Sequence, residues 1–228
     1  MVVYESMVSA SLDDLHDIGY GTAYERSLLN NLLKGIIKTY NIRSILEYPA
    51  NDLLGDYELL YRGIDLPVKR SRSITLERYD LVWNFCEIER NDPNKLLTEM
   101  IKSTKSYILL VGQNIFNLGV PLHKFYHLLL NLVWDHGDPK HMRLSYAKYL
   151  FRNNRLQILE HGYFDAPIFI LDLYESGSVV MKKKSSPLRS KNGLLSKILL
   201  KKSPFEKAPH FLKFLLCHHW YLLGRVSI

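Results

Sequence analysis

The segment at residues 42–55 most constrains what this chain can fold into. It reads IRSILEYPANDLLG, so a short apolar run ends on an acid, Glu47, and then turns through Pro49 into a Leu-rich stretch. This order predicts a strand, a tight turn and the start of a helix. In open α/β sheets, ligands bind outside the carboxyl ends of strands, where a new helix offers unpaired N–H groups and a positive dipole end. The segment therefore predicts a pocket beside Glu47 and leaves its ligand open.

Strands and helices alternate along the first half of the chain. The continuous apolar run YILLV at 107–111 is typical of a strand buried on both faces. The alternation favours a parallel sheet with helices on both faces. We predict helices at 24–40, 53–60 and 91–104, and strands at 44–48, 61–65, 79–85 and 107–111, with a basic loop at 66–78.

The second half has a less regular pattern. We predict helices at 123–134 and 142–154, a strand at 156–163, a helix in HFLKFLLC and a last strand in HHWYLLGRV. The expected organisation is one domain over 1–228, with an N-terminal helical arm at 1–41 and a basic helical insertion at about 164–217.

The charge balance is moderately basic. The chain has 30 Lys and Arg against 23 Asp and Glu, a formal net charge of +7. The basic residues concentrate near the C-terminal third, where they favour contact with nucleic acid or with an anionic surface, a solvated insertion being the alternative. The residues of this basic tract are Lys182, Lys183, Lys184, Arg189, Lys191, Lys201 and Lys202.

Cysteine usage and hydropathy indicate a cellular compartment. The two cysteines, Cys86 and Cys217, lie in apolar runs, which favours reduced, buried thiols over a disulfide framework. The N-terminus carries acids and no basic n-region, and no apolar run reaches the roughly 18 residues of a membrane span. We therefore expect a cytoplasmic protein with no transmembrane segment.

Histidine patterns give no metal or nucleophile prediction. His123 and His127 are four residues apart, but Lys124 stands where a metalloprotease signature has Glu. In Cys217-His218-His219, neighbours at a helix–strand junction are not expected to point the same way. A buried cysteine is therefore the preferred interpretation, with no metal site and no identifiable catalytic residue.

The order of these signals resembles the class I S-adenosylmethionine-dependent methyltransferases. The resemblance covers roughly Gly19–Gly162 and Phe211–Val226. It is carried by ILEYPANDLLG at the first strand, GID at the end of the second, and YDLVWNFCEIERNDPNKLLTEMIKSTKSYILLVGQN. It implies an α/β, Rossmann-like, mostly parallel sheet with helices on both faces and a terminal antiparallel strand.

The resemblance also implies a cofactor, S-adenosyl-L-methionine, and an unknown methyl-acceptor substrate. The first turn would meet the carboxypropyl end of the cofactor, an acid after the second strand would bind the ribose, and residues after the 79–85 strand would flank the adenine. An N-terminal pair would form a lid. Helix capping, core packing and a helix entry are the ordinary alternatives for these residues. The implied residues are Glu47, Tyr48, Pro49, Ala50 and Asn51, then Asp65, then Asn84, Phe85 and Cys86, and finally Gly21 and Tyr24.

Two departures from the family pattern have structural consequences. Tyr48-Pro49-Ala50-Asn51 replaces the glycines that let backbone approach the cofactor closely. Residues 66–78 are too few for the further helix and strand of the family, since a strand–helix–strand unit takes about 30 residues. We therefore expect a sheet trimmed at one edge. A catalytically inactive methyltransferase-fold binding or scaffold protein remains the alternative function.

Overall fold

The computed structural model describes residues 23–50, 57–129, 131, 137–165 and 209–226. The chain divides into two compact units. One comprises residues 1–41, 52–64 and 168–204, and the other comprises residues 42–51, 65–167 and 205–228. The expectation of a single domain stays a prediction.

The first unit contains two helices, α1 (Ala23–Tyr40) and α2 (Tyr57–Leu60). The helix α1 forms where the Leu and Ile periodicity predicts it, and Leu29, Leu33 and Ile36 are buried. The amide of Asn30 donates to the carbonyls of Leu60 at 2.6 Å and Arg62 at 3.1 Å. This side chain therefore ties the segment after α2 to α1.

The predicted strand at 61–65 is wrong. Residues 61–63 form a turn, in which the Ile64 N–H donates to the Tyr61 carbonyl at 3.1 Å and Gly63 has a φ of 66°. A left-handed glycine breaks extended backbone. The second strand is β2 (Val68–Arg70), within the stretch predicted to be a loop.

The second unit is built on one six-stranded sheet in the order β2-β1-β3-β4-β6-β5. The first four of these strands are mutually parallel, and β6 is antiparallel to both β4 and β5. The α/β class and the terminal antiparallel strand are thus confirmed, and β2 is the trimmed edge. The other strands are β1 (Ile45–Glu47), β3 (Tyr79–Phe85), β4 (Thr104–Gln113), β5 (Leu156–Phe164) and β6 (His219–Val226).

Helices α3 (Pro93–Ser103) and α5 (Leu144–Asn153) share one buried core with the sheet. Asp92 caps α3 by accepting from the N–H groups of Asn94 and Lys95, and Pro93 occupies the first helical position, as the sequence predicts. The core joins Met100 and Phe151 of these helices to alternate residues of the central strands. Two further helices, α4 (Gly119–Leu129) and α6 (His210–Leu216), follow β4 and precede β6.

Membrane-spanning helices are not found in the part of the chain that the structure describes.

Candidate functional site at the carboxyl edge of the sheet

The strand order places the switch point, where open α/β sheets have their ligand crevice, between β1 and β3. β2 lies on one side of β1 and β3 lies on the other, so the winding of the sheet reverses between β1 and β3. Ligands of open α/β sheets bind outside the carboxyl ends of strands at such a reversal. Glu47 ends β1 and Phe85 ends β3, followed by Tyr48 and Cys86. Predicted cofactor residues therefore belong to both chain segments that border this crevice.

Glu47 is buried and paired with a cation from the edge strand. Its carboxylate is 1% exposed and accepts from Arg70 Nε at 2.8 Å and from Arg70 Nη2 at 3.4 Å. The pairing follows from strand register, since Glu47 is directly opposite Arg70 in the β1–β2 ladder. The charge of this acid is therefore balanced within the sheet.

The placement of Asp65 at the carboxyl end of the second strand is wrong. Because the chain turns at Gly63 and becomes a strand only at Val68, Asp65 lies on the amino side of β2. Arg70 holds the position where an acid was expected. A ribose contact from Asp65 stays a prediction without that structural support.

The N–H groups of the first turn already donate hydrogen bonds to other parts of the protein. The Tyr48 N–H donates to the Trp83 carbonyl at 2.9 Å, the Ala50 N–H donates to the Ser71 carbonyl at 2.8 Å, and Pro49 has none. Tyr48, Pro49 and Ala50 thus do not reproduce a glycine cradle. Backbone donors to a ligand at this turn must come from residues after Ala50, and Asn51 lies outside the described residues.

The Tyr48 side chain packs toward α3. Its ring belongs to the buried core, and its hydroxyl donates to Glu99 Oε2 at 2.8 Å. Burial, assisted by the neighbouring Glu99 carboxylate, raises the pKa of Tyr48 to about 12. The phenol is therefore neutral, and this ring anchors the turn in the core.

The remaining predicted cofactor residues do not share one location. Asn84 is buried with its amide on Met100 Sδ at 3.2 Å, so its side chain faces α3. The Phe85 ring lies 5.1 Å from the ring of His219. Gly21 lies outside the described residues, and for Tyr24 the structure describes only its place in α1. The basic tract at 182–202 also lies outside the described residues.

A cluster that the sequence reasoning missed occupies the other half of the same edge. Asp165 Oδ2 lies 3.7 Å from both His218 Nδ1 and His219 Nε2, and the two imidazole rings are 4.5 Å apart. Cys86 Sγ lies 3.8 Å from His219 Nδ1. The register of β5 against β6 explains this grouping, since Phe164 is opposite His219 and Asp165 follows directly. The sequence signal that could have revealed this cluster was an acid just after one strand and two histidines at the start of its antiparallel neighbour.

Glu89 is a second missed residue, in the loop between β3 and α3. It is buried, and its Oε1 accepts from the Gln113 N–H at 2.6 Å. Burial raises the pKa of Glu89 to about 8, against the opposing effect of the Gln113 hydrogen bond. Close backbone at Gly137 adds to its enclosure, since a Cβ there would lie 2.8 Å from Glu89 Cβ.

Comparison with known proteins identifies the fold. No protein-family model and no curated protein matches this sequence. Among solved structures, magnesium protoporphyrin IX methyltransferase from Synechocystis PCC 6803 with bound SAH is 8% identical, with 98% of this chain and 90% of that chain covered and a TM-score of 0.50.

Two other solved structures match with lower TM-scores. The YcgJ protein from Bacillus subtilis is 14% identical over 88% of this chain and 99% of that chain, with a TM-score of 0.43. A putative methyltransferase from Bacillus halodurans C-125 is 14% identical over 90% and 89%, with a TM-score of 0.41. The Synechocystis match, together with the strand order, shows that this chain has the class I methyltransferase fold.

Proposed function

We propose that this chain binds S-adenosyl-L-methionine at the crevice between β1 and β3 and transfers its methyl group to an acceptor of unknown class. The observation that carries the proposal is the position of Glu47. It is a buried acid at the carboxyl end of β1, next to the reversal of strand order. The Synechocystis enzyme with this fold holds SAH, the demethylated cofactor.

The Glu47–Arg70 pair suits the zwitterionic end of such a cofactor. A carboxylate has about four lone-pair sites and a guanidinium has five N–H donors, so each can bond a ligand as well as its partner. Glu47 would accept from the cofactor ammonium, and Arg70, which is 28% exposed, would donate to the cofactor carboxylate. In this proposal the ion pair replaces the backbone donors that Tyr48, Pro49 and Ala50 do not supply.

Methyl transfer places modest demands on the side chains. A sulfonium supplies a good leaving group, so the main requirement is alignment of the acceptor with the methyl carbon. The residues of this chain would contribute by binding and orienting both molecules. The proposal therefore names no catalytic acid or base.

Calorimetric titration with S-adenosylmethionine and SAH tests the proposal. We expect one site per chain with micromolar affinity, and a stabilisation of about 2.7 kcal/mol at a hundredfold excess over Kd. Glu47→Gln should weaken SAH binding about tenfold or more, since charged hydrogen bonds contribute about 1.5–3 kcal/mol. The matched control is Glu77→Gln, because Glu77 pairs with Lys69 of the same β2 strand but is 69% exposed.

Absence of heat, with no melting shift at millimolar ligand, would contradict the proposal and favour the alternative prediction. That alternative is a catalytically inactive methyltransferase-fold binding or scaffold protein. The observation behind it is that the N–H groups of Tyr48 and Ala50 donate to the carbonyls of Trp83 and Ser71, so these two groups do not form a cofactor cradle.

A nucleic-acid or anionic-surface partner is a separate proposal based on the basic tract. Its residues would contact phosphates, and binding through them would weaken steeply with salt. A filter-binding assay with RNA at two salt concentrations tests this, with charge reversal of Lys182, Lys183 and Lys184 as the variant. Absent or salt-insensitive binding would remove nucleic acid as a partner.

A further inference from the structure

We propose that Asp165, His218 and His219 form a binding site for a divalent transition-metal ion at the antiparallel half of the sheet edge. One oxygen of Asp165 and one nitrogen from each histidine all lie within 4.8 Å of one another. The proposal goes beyond methyl transfer and does not depend on the cofactor crevice.

The spacing of the three ligand atoms fits coordination by a single ion. Ligand atoms about 2.0–2.2 Å from a tetrahedral metal lie about 3.4 Å from each other. The separations from Asp165 Oδ2 to His218 Nδ1 and to His219 Nε2 are both 3.7 Å. That is longer than a direct hydrogen bond and close to the edge of a coordination polyhedron. A contraction of a few tenths of an ångström brings each nitrogen to the required separation from Asp165 Oδ2. The two nitrogens, which lie within 4.8 Å of each other, must approach one another further when an ion binds.

The three side chains are mostly buried, as the ligands of metal sites in proteins commonly are. The Asp165 side chain is 7% exposed, His219 is 0% exposed and His218 is 23% exposed. A carboxylate removed from water requires a compensating positive charge or a set of hydrogen bonds. A divalent ion would add positive charge beside this buried carboxylate, and the partial exposure of His218 provides an entry path from one side.

Cys86 contacts the buried histidine and, in this proposal, orients it. Its sulfur contacts His219 Nδ1 at 3.8 Å, the ring nitrogen opposite the one that faces Asp165. With Nδ1–H donating to this sulfur, Nε2 keeps its lone pair toward Asp165, which is the tautomer that a metal ligand requires. Phe85 and Phe164 pack beside the ring, with centroids 5.1 Å and 5.6 Å away, and fix its plane.

The ligand set defines the class of ion. Two imidazoles and one carboxylate suit Zn²⁺, Fe²⁺ or Co²⁺ with at least one open coordination position, whereas Mg²⁺ and Ca²⁺ prefer all-oxygen ligands. Zn²⁺ and Co²⁺ are therefore the probes of choice, and Mg²⁺ is the comparison ion.

The chain offers a matched control for an incidental histidine–acid contact. His141 Nε2 lies 3.8 Å from Asp138 Oδ2, nearly the same separation, on the loop that precedes α5. The cluster of three ligand atoms does not include this pair. A variant at His141 therefore measures the contribution of one histidine and one carboxylate alone.

The experiment titrates the chelator-treated full chain with Co²⁺, following visible absorption and, by equilibrium dialysis, stoichiometry. We expect one Co²⁺ per wild-type chain, displaced by Zn²⁺ and not by excess Mg²⁺. Asp165→Asn should weaken binding at least tenfold, and Asn tolerates the φ of 59° found at this position. His218→Gln should do the same, while His141→Gln should bind like the wild type.

Circular dichroism of the metal-free variants separates loss of a ligand from loss of folding. Should Asp165→Asn fail to fold, His218→Gln decides the matter, because His218 is the most exposed of the three ligands. No cobalt binding to the wild type would overturn the proposal, as would equal binding by wild type and His218→Gln.

Discussion

The two halves of one sheet edge each bury a carboxylate, but at different distances from the neighbouring nitrogen atoms. In the parallel half, Glu47 is bonded directly by Arg70 at 2.8 Å. In the antiparallel half, Asp165 faces two imidazole nitrogens that both stand 3.7 Å away. Direct bonding balances charge without an added ion and suits a zwitterionic ligand, whereas spaced ligands leave room for a cation. The separation between donor and acceptor therefore distinguishes the two proposed sites on the same edge.

The largest expected effect comes from removing the guanidinium of the parallel half. Arg70→Met leaves Glu47 buried without this partner, and we expect the free energy of unfolding to fall by about 3 kcal/mol. Lys69→Met, on the same strand, should change little, because Lys69 and Glu77 are exposed and screened. Urea unfolding, followed by the fluorescence of buried Trp83 and Trp220, measures both. Equal losses in the two variants would show that Arg70 acts only as surface charge.

Glu89 is a third buried acid on this chain, and it avoids a buried charge by keeping its proton. Because burial raises its pKa to about 8, the native chain retains a proton that the unfolded chain releases above about pH 4.5. Stability from this group is thus complete below about pH 4.5 and declines as pH rises to about 8, by up to ~1.4 kcal/mol per pH unit. Glu89→Gln should flatten the unfolding free energy over this window. A variant profile parallel to that of the wild type would contradict the assignment.

A smaller effect is expected from the sulfur behind the proposed metal ligand. Cys86→Ala removes the contact that orients His219, and outer contacts of this kind typically change metal affinity 10–100-fold. We expect cobalt affinity to drop about tenfold, with one ion per chain still bound. Cys217→Ala, at the other buried cysteine, should leave the affinity unchanged. A larger loss at Cys217 than at Cys86 would show that the tautomer argument is incorrect.

The smallest effect is expected at the ring that anchors the first turn. Tyr48→Phe removes one hydrogen bond to Glu99, which should lower the free energy of unfolding by about 1 kcal/mol. Because the ring packs toward α3, SAH affinity should stay the same. A clear loss of SAH affinity in calorimetry would place Tyr48 in the crevice and weaken the contrast between anchoring and binding residues.

Much of the fold follows from local signals in the sequence. The apolar run at Tyr79–Phe85 forms β3 with those bounds, and Asp92-Pro93 begins α3. The helix and strand of the last predicted pair appear as α6 and β6. Each of these elements carries its own apolar pattern or cap, so it is recognisable without its neighbours.

The site was harder to predict because it depends on register between strands. The three-residue β2 has no apolar pattern, and its extended conformation depends on pairing with β1. Its sequence alone therefore predicted a loop. The contact of Arg70 with Glu47 follows from that pairing. Likewise, the convergence of His218 and His219 on Asp165 requires the antiparallel match of β5 with β6. Neither relation is present in the spacing of residues along the chain.

Photo-crosslinking most directly tests whether the parallel half of the edge binds the cofactor. Ultraviolet irradiation of the full chain with radiolabelled S-adenosylmethionine, followed by tryptic mapping, locates the contact. The account predicts label in the peptides 44–62 or 79–90, which contain Glu47 and Cys86, and its loss with excess SAH. Label confined to other peptides, or none that SAH displaces, would contradict it.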